Sequence, residues 1–257
     1  MIDLHNHTIL CNHAQDSLEE FIQKAIQNNI SIYGFSDHSP MEFDEKYRMS
    51  FDEMDIYEKW LDNLKEKYKN KIEILKGYEV DFTPLVDKRV LDRKVDYLIG
   101  SIHFLDNWGF DNPEFLAEWD KRDIDDVYKE YFSLVEKMAE SGYFNIVGHL
   151  DLIKVFDFKP KENIKKLARN AITAIADNKM VVEINTAGIR KKVNEPYPSI
   201  HLLEMIKEYN IDITFGSDAH SKNQVGFMLK ECYNIAKFLG YKKAVYFKNK
   251  QKFYKEI

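Results

Sequence analysis

The chain has 257 residues, of which 37 are Lys or Arg and 43 are Asp or Glu, so its formal net charge at pH 7 is −6. A chain of this length can form one large α/β domain or two small ones. The negative charge argues against a protein that binds nucleic acid through bulk positive charge, because neutralising phosphates requires clustered Lys and Arg. It does not exclude a small anionic substrate that is held by one or two local cations.

The chain carries two cysteines, Cys11 and Cys232, which are too few for a disulfide framework. Free thiols in a reducing compartment are the simpler interpretation. The first residues contain no basic segment followed by an apolar one, so no signal peptide is predicted. No apolar stretch is long enough to span a bilayer. We therefore expect a cytoplasmic protein without a membrane partner.

Short apolar runs recur along the chain, and most are followed by a longer segment with helical periodicity. The predicted strands are residues 2–7, 31–36, 72–80, 95–104, 145–150, 180–185 and 211–216. Alternating strands and helices predict a mostly parallel sheet, either open or closed. No linker, repeat or low-complexity segment divides the chain, so we expect a single domain over residues 1–257.

Capping residues indicate where the helices begin. Ser17 and Ser50 are each followed by a Glu three residues later (Glu20 and Glu53), the pattern of a capping box. Asp123 or Asp125 is predicted to cap the helix that reaches residue 141, and the Pro198-Ser199 pair is predicted to open another. The stretches that are predicted to be long loops are residues 40–49 and 105–122.

Histidines concentrate at one kind of position. Six of the eight lie at or just after the carboxyl end of a predicted strand, namely His5, His7, His38, His103, His149 and His220. In parallel α/β folds these strand ends form the active face. The alternative interpretation is a set of solvated histidines, but so many polar groups would be costly to cluster without a cation. Imidazoles and carboxylates without a thiolate suit Zn, Fe or Mn.

Several short motifs contain or accompany these histidines between residues 3 and 220. They are His5-Asn-His7-Thr, His13, Ser36-Asp-His38, Gly77-Tyr-Glu79-Val-Asp, Gly100-Ser-Ile-His103-Phe, Gly148-His149-Leu-Asp, Glu183-Ile-Asn-Thr-Ala-Gly188 and Gly216-Ser-Asp218-Ala-His220. With them the chain resembles the PHP (polymerase and histidinol phosphatase) superfamily. The stretch 101–111 resembles its histidinol-phosphate phosphatase branch. The resemblance implies a distorted (β/α)7 barrel, an α/β fold with the active site at the carboxyl ends of its strands.

The resemblance also implies three metal sites when it is carried over position by position. The implied ligand sets are His5, His7, Glu79 and Asp218 for the first metal, Glu79, His103 and His149 for the second, and His13, His38 and His220 for the third. All nine positions carry the expected residue type, which argues against a non-catalytic member. We therefore expect two to three divalent transition metals as cofactors. His201 lies on no strand end and is interpreted as structural, and Cys11 as a bystander thiol.

Motifs for other chemistries are missing from the sequence: it has no nucleophile elbow, P-loop, dinucleotide fingerprint or His-Glu-x-x-His helix. Metal-assisted hydrolysis remains, in which a hydroxide bridging two metals attacks phosphorus. Glu79 is expected to bridge the metals. Asp218 could also move a proton, with help from His220. Which residue protonates the leaving alkoxide stays open at this stage.

A phosphate monoester also needs cations outside the metal cluster. Arg190 follows the sixth predicted strand and is the first candidate for phosphate binding, because a guanidinium matches phosphate oxygens. Lys154 and Arg48 are the second and third candidates. Four acidic loop residues could bind the cationic amine and imidazolium of histidinol, namely Glu42, Asp44, Asp106 and Asp111.

These observations favour a histidinol-phosphatase of histidine biosynthesis with a small phosphorylated substrate and no nucleic-acid partner. The alternatives are a PHP phosphoesterase of other specificity or a nuclease, which should have a basic, aromatic-lined channel. A non-catalytic metal-binding module is a third possibility, and it should lack a ligand. Residues 241–257 carry six lysines and are interpreted as a solvated closing element. The oligomeric state is left open.

Overall fold

The structure is a computed structural model that describes residues 1–84 and 86–257. In these residues the strands are β1 Ile2–Asp3, β2 Ile32–Phe35, β3 Glu73–Asp81, β4 Tyr97–Ser101, β5 Phe104–Leu105, β6 Trp108–Gly109, β7 Ile146–Val147, β8 Val181–Asn185, β9 Ile213–Gly216, β10 Lys243–Lys248 and β11 Gln251–Glu256. The α-helices are α1 Leu18–Gln27, α2 Glu53–Tyr68, α3 Lys88–Leu91, α4 Ile124–Glu140, α5 Ile164–Leu167, α6 Arg169–Asp177, α7 Ile200–Glu208 and α8 Leu229–Phe238.

Seven strands form one parallel sheet in the order β1-β2-β3-β4-β7-β8-β9. The two ends of this sheet also meet, because the Leu4 N–H donates to Phe215 O at 2.8 Å and the Asp218 N–H donates to His5 O at 2.7 Å. The sheet is therefore a nearly closed barrel, and the predicted distorted (β/α)7 barrel is confirmed. All seven predicted strands are present, although β1 and β7 are only two residues long.

The barrel interior is filled around one aromatic side chain. Tyr97 on β4 is fully buried, and its hydroxyl donates to Leu4 O at 2.6 Å across the barrel. A Cβ at Gly77 on β3 would lie 2.5 Å from the Tyr97 ring, and a Cβ at Gly34 on β2 would lie 2.0 Å from its hydroxyl. These two positions therefore need glycine because the tyrosine occupies the space that a side chain would take.

A layer of helices covers the outside of the barrel, and the main core lies between the two. The covering helices contribute side chains that are almost fully buried, such as Leu61 of α2, Val135 of α4, Ile172 of α6 and Ile206 of α7. Burial on both faces explains why the barrel strands are nearly continuous apolar runs. Among the described residues, no helix combines the length and apolar character that crossing a bilayer requires.

The predicted helix starts are only partly confirmed. Ser17 forms the full capping box with Glu20 at the start of α1, and Asp123 caps α4. The capping box predicted at Ser50 is wrong in one respect, because Ser50 is not the N-cap of the helix. The Ser50 N–H and hydroxyl donate to the Glu53 carboxylate at 2.8 and 2.9 Å, but Asp52 is the N-cap of α2, because a turn separates Ser50 from the helix.

The long loop predicted over residues 105–122 is wrong. This stretch contains most of the antiparallel β5–β6 hairpin and a 3-10 helix over Pro113–Lys121. Trp108 and Trp119 pack edge to face with 5.1 Å between ring centroids, and the Trp119 indole N–H donates to Phe110 O at 3.1 Å. Trp119 also stacks on Phe158 with 4.7 Å between ring centroids, and such tertiary packing orders the segment, so its local periodicity carried no signal.

Two further predictions concern the loop over residues 40–49 and the closing element over residues 241–257. Residues 40–49 are irregular apart from one 3-10 turn over Glu45–Tyr47. The closing stretch 241–257 is a β10–β11 hairpin that lies beside β9. Strand β10 buries Val245 and Phe247, whereas most of β11 is exposed, so the hairpin closes one side of the barrel with its outer strand in solvent.

Gly216 at the end of β9 provides a test of the packing beneath the strand ends. A Cβ there would lie 1.9 Å from Glu183 Oε1 and 2.5 Å from His5 Cβ, and both residues are buried. We expect Gly216→Ala to lower the free energy of unfolding by about 1–3 kcal/mol or more. Thermal denaturation should therefore give a Tm several degrees lower than that of the unchanged chain.

The matched control is Gly109→Ala, where the nearest atom to the new Cβ is in the Phe104 ring at 3.3 Å. That ring can shift slightly, so we expect a smaller loss of stability. Equal melting temperatures for the two variants would contradict this account of Gly216.

Candidate metal centre

The carboxyl ends of the barrel strands surround one cavity of about 660 Å³. The cavity lining contains seven of the nine predicted metal ligands, namely His13, His38, Glu79, His103, His149, Asp218 and His220. The other two, His5 and His7, are fully buried at its floor, just after β1. The structure thus brings all nine predicted ligands together. His201 lies outside the cluster, on α7, with 69% of its side chain exposed.

Glu79 near the end of β3 is the centre of the cluster. Its Oε1 lies 2.8 Å from His149 Nε2 and 3.6 Å from His103 Nε2. Its Oε2 faces a different set, with the distances 3.2 Å to His5 Nε2, 3.6 Å to His7 Nε2 and 3.1 Å to His38 Nδ1. The carboxylate therefore separates two groups of imidazoles, and each of its oxygens serves one of them.

Asp218 after β9 forms the second carboxylate centre. Its Oδ1 lies 3.2 Å from His7 Nε2 and 3.5 Å from His220 Nδ1. The rings of His7 and His220 stack with 4.0 Å between their centroids, and His13 lies 4.5 Å from His220 by the same measure. The backbone of Asp218 has φ of 52°, in the left-handed region that is unfavourable for most residues other than glycine. Asp218 lines the cavity.

A second layer of carboxylates orients three of the histidines, and the sequence analysis missed these roles. The Nδ1–H of His5 donates to Glu183 at 2.9 Å, and the Nδ1–H of His103 donates to Asp81 at the same distance. His7 Nδ1 lies 3.3 Å from Asp37 Oδ1. In each case Nδ1 is engaged and Nε2 points into the cluster, the arrangement that second-layer partners impose on metal-binding histidines. All three carboxylates lie within the motifs that carry the metal-type histidines and Glu79 or follow them along the chain. Their place in these motifs is the sequence feature that could have indicated their roles.

Charges in the cluster are strongly coupled. Burial alone would lower the pKa of His5, but Glu183 and Glu79 outweigh burial and raise that pKa well above its usual value. Burial likewise opposes protonation of His7 and His103. Neighbouring carboxylates nevertheless raise the pKa of His7 to about 9 and that of His103 to about 10.

The pKa values of the two central carboxylates and of two other histidines are lowered. Burial would raise the pKa of Glu79 and Asp218, but the surrounding imidazoles hold both values well below the usual range. Burial lowers the pKa of His38 and His220 well below the usual value for histidine. The cluster thus offers both anionic oxygens and neutral imidazole nitrogens, the donor types that divalent transition metals bind.

Unsatisfied ring nitrogens provide a test of whether the residues fit metal ions. Buried nitrogens without a hydrogen-bond partner among the described residues are His5 Nε2, His7 Nε2, His38 Nδ1, His149 Nδ1 and His220 Nε2. Each unsatisfied buried polar atom costs about 1–3 kcal/mol. A cation at the cluster would satisfy these lone pairs, so the residues present fit metal binding.

Ligand atoms within 4.8 Å of one another form groups that resemble the predicted sets. The groups that contain only predicted ligands are His5, His7 and Asp218; His5, Glu79 and His149; and His7, His38 and His220. His13 groups with His220 and Cys11 rather than with His38. Cys11 is a buried free thiol whose S–H donates to Thr8 O at 3.1 Å. The assignment of ligands to individual ions stays a prediction.

Arg190, the first candidate for phosphate binding, lines the cavity. It ends the short 3-10 helix after β8, and one guanidinium nitrogen, Nη2, donates to Ser217 O at 2.9 Å and to Asp218 O at 3.0 Å. The other, Nη1, is buried without a partner among the described residues. Burial lowers the pKa of Arg190, although nearby Asp218 opposes that shift. The guanidinium is therefore fixed beside the metal cluster with donor capacity to spare.

The other two basic side chains that are predicted to bind phosphate, Arg48 and Lys154, form ion pairs within the protein. Arg48 lines the cavity, but its guanidinium lies 2.5 Å from Asp81 and 3.2 Å from Asp44, so it supports the carboxylate that orients His103. Lys154 does not line the cavity. Its ammonium lies 3.0 Å from Asp151 and also donates to a backbone carbonyl at 2.9 Å. The Lys154 ammonium is therefore engaged by protein oxygens. Arg48 Nη1, like Arg190 Nη1, is buried without a partner among the described residues, so phosphate binding by Arg48 stays a prediction.

Comparison with known proteins agrees with this architecture. The model of the PHP domain family matches residues 3–187. The chain is 36% identical to a protein of Deinococcus radiodurans named "Probable histidinol-phosphatase", over 93% of this chain and 94% of that protein. It is 28% identical to the histidinol-phosphatase of Bacillus subtilis, over 88% of this chain and 95% of that protein.

A solved structure shares the whole fold. The histidinol phosphate phosphatase of Lactococcus lactis, described as complexed with Zn, L-histidinol and phosphate, superposes with a TM-score of 0.84. The superposition covers 98% of each chain at 19% identity. The similarity extends over the complete barrel, and the family match covers the motifs that supply most of the cluster. The chain belongs to the PHP domain family.

Proposed function

We propose that this chain is a metal-dependent phosphomonoesterase that hydrolyses L-histidinol phosphate to L-histidinol and phosphate in histidine biosynthesis. The observation that carries the proposal is the cluster around Glu79, which gathers nine metal-type ligands at the mouth of a barrel. The relatives named histidinol-phosphatase in Deinococcus and Bacillus support the same substrate. A cytoplasmic setting follows from this role, and two unpaired thiols are consistent with it.

Two to three divalent metal ions complete the site in this proposal. His5, His7, Glu79 and Asp218 would hold the first, and Glu79 would share the second with His103 and His149. The opposite orientation of the two Glu79 oxygens supports this bridging role. His13, His38 and His220 would hold a third ion. Zn is favoured by the complex described for the Lactococcus protein, while Fe and Mn suit the same donors.

Hydrolysis is divided between the metals and the chain's own side chains. When bound, the ions neutralise phosphoryl oxygens and activate water as the nucleophile. Asp218 lines the cavity beside the proposed metals, so its carboxylate would be placed to accept a proton during the reaction. His220 Nδ1 lies 3.5 Å from Asp218 Oδ1, close enough to share that proton after a small movement. Arg190 Nη1 would donate to a phosphoryl oxygen and orient the ester.

Phosphate release from three compounds tests the proposed function. L-histidinol phosphate, phenyl phosphate and a short single-stranded oligonucleotide should be compared, each before and after treatment with a chelator. We expect the highest kcat/KM with histidinol phosphate and loss of activity after chelation. Full activity of the metal-free protein would refute metal dependence. A preference for phenyl phosphate would indicate another phosphatase specificity, and a preference for the oligonucleotide would indicate a nuclease.

His103→Ala tests the bridged pair of metals. His103 is oriented by Asp81 towards Glu79, so its loss should remove nearly all turnover and lower the metal content while the fold is kept. His201→Ala is the matched control, because His201 is exposed on α7 far from the cluster. Kinetics and elemental analysis of both variants measure the effect. Retention of turnover and metal in His103→Ala would show that this ligand is misassigned.

Arg190→Ala tests phosphate binding. Loss of a charge-assisted hydrogen bond costs about 1.5–3 kcal/mol, which corresponds to about 10- to 150-fold in kcat/KM. The loss should be similar for histidinol phosphate and phenyl phosphate, because both carry the same phosphoryl group. Arg169→Ala, at an exposed position on α6, is the control and should have wild-type kinetics. An effect of Arg190→Ala on one ester alone would contradict a role at the phosphate.

A further inference from the structure

The outer part of the cavity differs in character from the metal cluster. Besides the metal-type ligands, the lining includes residues of the loop that contains Tyr47 and of the segment that follows β6, and Phe104 and Phe115 are among its aromatic residues. Asp111 lines the same cavity and is half-buried. A pocket with aromatic walls and several carboxylates is suited to an organic cation.

Asp111 is distinguished from the other acidic side chains of the lining by its lack of a partner. The carboxylates of Glu79 and Asp218 are engaged by histidines. Asp44 is paired with Arg48 at 3.2 Å, and the exposed Glu114 with Lys46 at 3.5 Å. In the described part of the chain, no other residue forms a hydrogen bond or an ion pair with the Asp111 carboxylate.

Two of the acidic residues named with Asp111 in the sequence analysis lie away from the cavity. Glu42 is 84% exposed and its carboxylate lies 3.6 Å from the Arg89 guanidinium. Asp106 is exposed on the turn of the β5–β6 hairpin and does not line the cavity. Of the four candidates, Asp111 is therefore the one that combines a place in the cavity with an unused charge.

The segment around Asp111 is held rigidly by its neighbours in sequence. Phe110 is fully buried, and its carbonyl accepts the Trp119 indole N–H at 3.1 Å. The Asn112 side chain caps the following 3-10 helix by accepting the Glu114 N–H at 2.9 Å. Asp111 thus lies between two anchored residues, so little additional ordering is needed when its carboxylate binds a ligand.

The electrostatics of Asp111 agree with a role in binding a cation. Burial raises the pKa of Asp111, and the imidazoles of His103 and His149 only partly oppose that shift. An ionised carboxylate in such a place is destabilised unless a cation or hydrogen-bond donor compensates it. The two histidines that influence Asp111 belong to the set predicted for the second metal.

We propose that Asp111 binds the ammonium group of L-histidinol phosphate and selects this substrate over phosphomonoesters without a cation. This inference rests on the proposed function. In histidinol phosphate the amino group is on the carbon next to the ester methylene, so the ammonium is the organic cation nearest to phosphorus. A phosphoryl group at the metal cluster would therefore bring the ammonium towards Asp111, and the imidazole would extend further out among the aromatic rings.

Asp111→Asn is the test variant, because it removes the charge and keeps the shape. The measured quantity is the ratio of kcat/KM for histidinol phosphate to kcat/KM for phenyl phosphate. We expect this ratio to fall about 10- to 150-fold, as for the loss of a charge-assisted hydrogen bond. Glu114→Gln is the matched control. It also removes a charge from the cavity lining, but that charge is exposed and paired, so the ratio should stay within about threefold.

A substrate that lacks the amino group completes the test and does not depend on whether the variant folds. With the unchanged protein, 3-(imidazol-4-yl)propyl phosphate should have a kcat/KM about 10- to 150-fold below that of histidinol phosphate. Asp111→Asn should not lower it much further, because the two changes remove the same contact. Equal losses with both imidazole substrates would overturn the ammonium assignment, and an unchanged ratio would overturn the role of Asp111. If the unchanged protein does not prefer histidinol phosphate over phenyl phosphate, the proposed function itself fails.

Discussion

The mouth of the barrel depends on one buried carboxylate, Glu79, which is surrounded by imidazoles. A buried anion is destabilising unless it is compensated. Protons on the histidines could compensate it in part, but the pKa of His38 is held well below its usual value, and several ring nitrogens have no partner. Metal ions would resolve this imbalance, because they bring positive charge to the place where oxygen and nitrogen lone pairs converge. The left-handed backbone of Asp218 is a further local cost that such a site would offset.

Much of the barrel could be predicted from the sequence, because its signals are local. Continuous apolar runs mark strands that are buried on both faces, and His5 and His7 share a strand face by their spacing alone. The segment over residues 105–122 could not be predicted, since Trp119 orders it by stacking on the distant Phe158, a contact that no periodicity reveals. Local patterns predict elements, whereas contacts between distant residues decide what happens in the connections.

The site, like the fold, has features that the sequence could predict and features that it could not. Residue types and their order identified the candidate ligands, but they could not show the direction in which a side chain points. Arg48 is a predicted phosphate ligand, and the structure also pairs it with Asp81, the carboxylate that orients His103. The reverse holds for Asp111, which was one of four equivalent acidic residues until the cavity separated it from the others. The barrel core thus supplies the proposed metal centre, and the connections after the strands supply selection of the substrate.

The central claim is that the histidine and carboxylate cluster holds more than one metal ion. A crystal structure of the purified protein, with anomalous diffraction measured at metal absorption edges, tests it most directly. We predict at least two anomalous peaks among the imidazole and carboxylate groups, one on each side of Glu79. Their absence from protein crystallised with excess Zn, with the histidines still hydrogen-bonded to the carboxylates, would contradict the account.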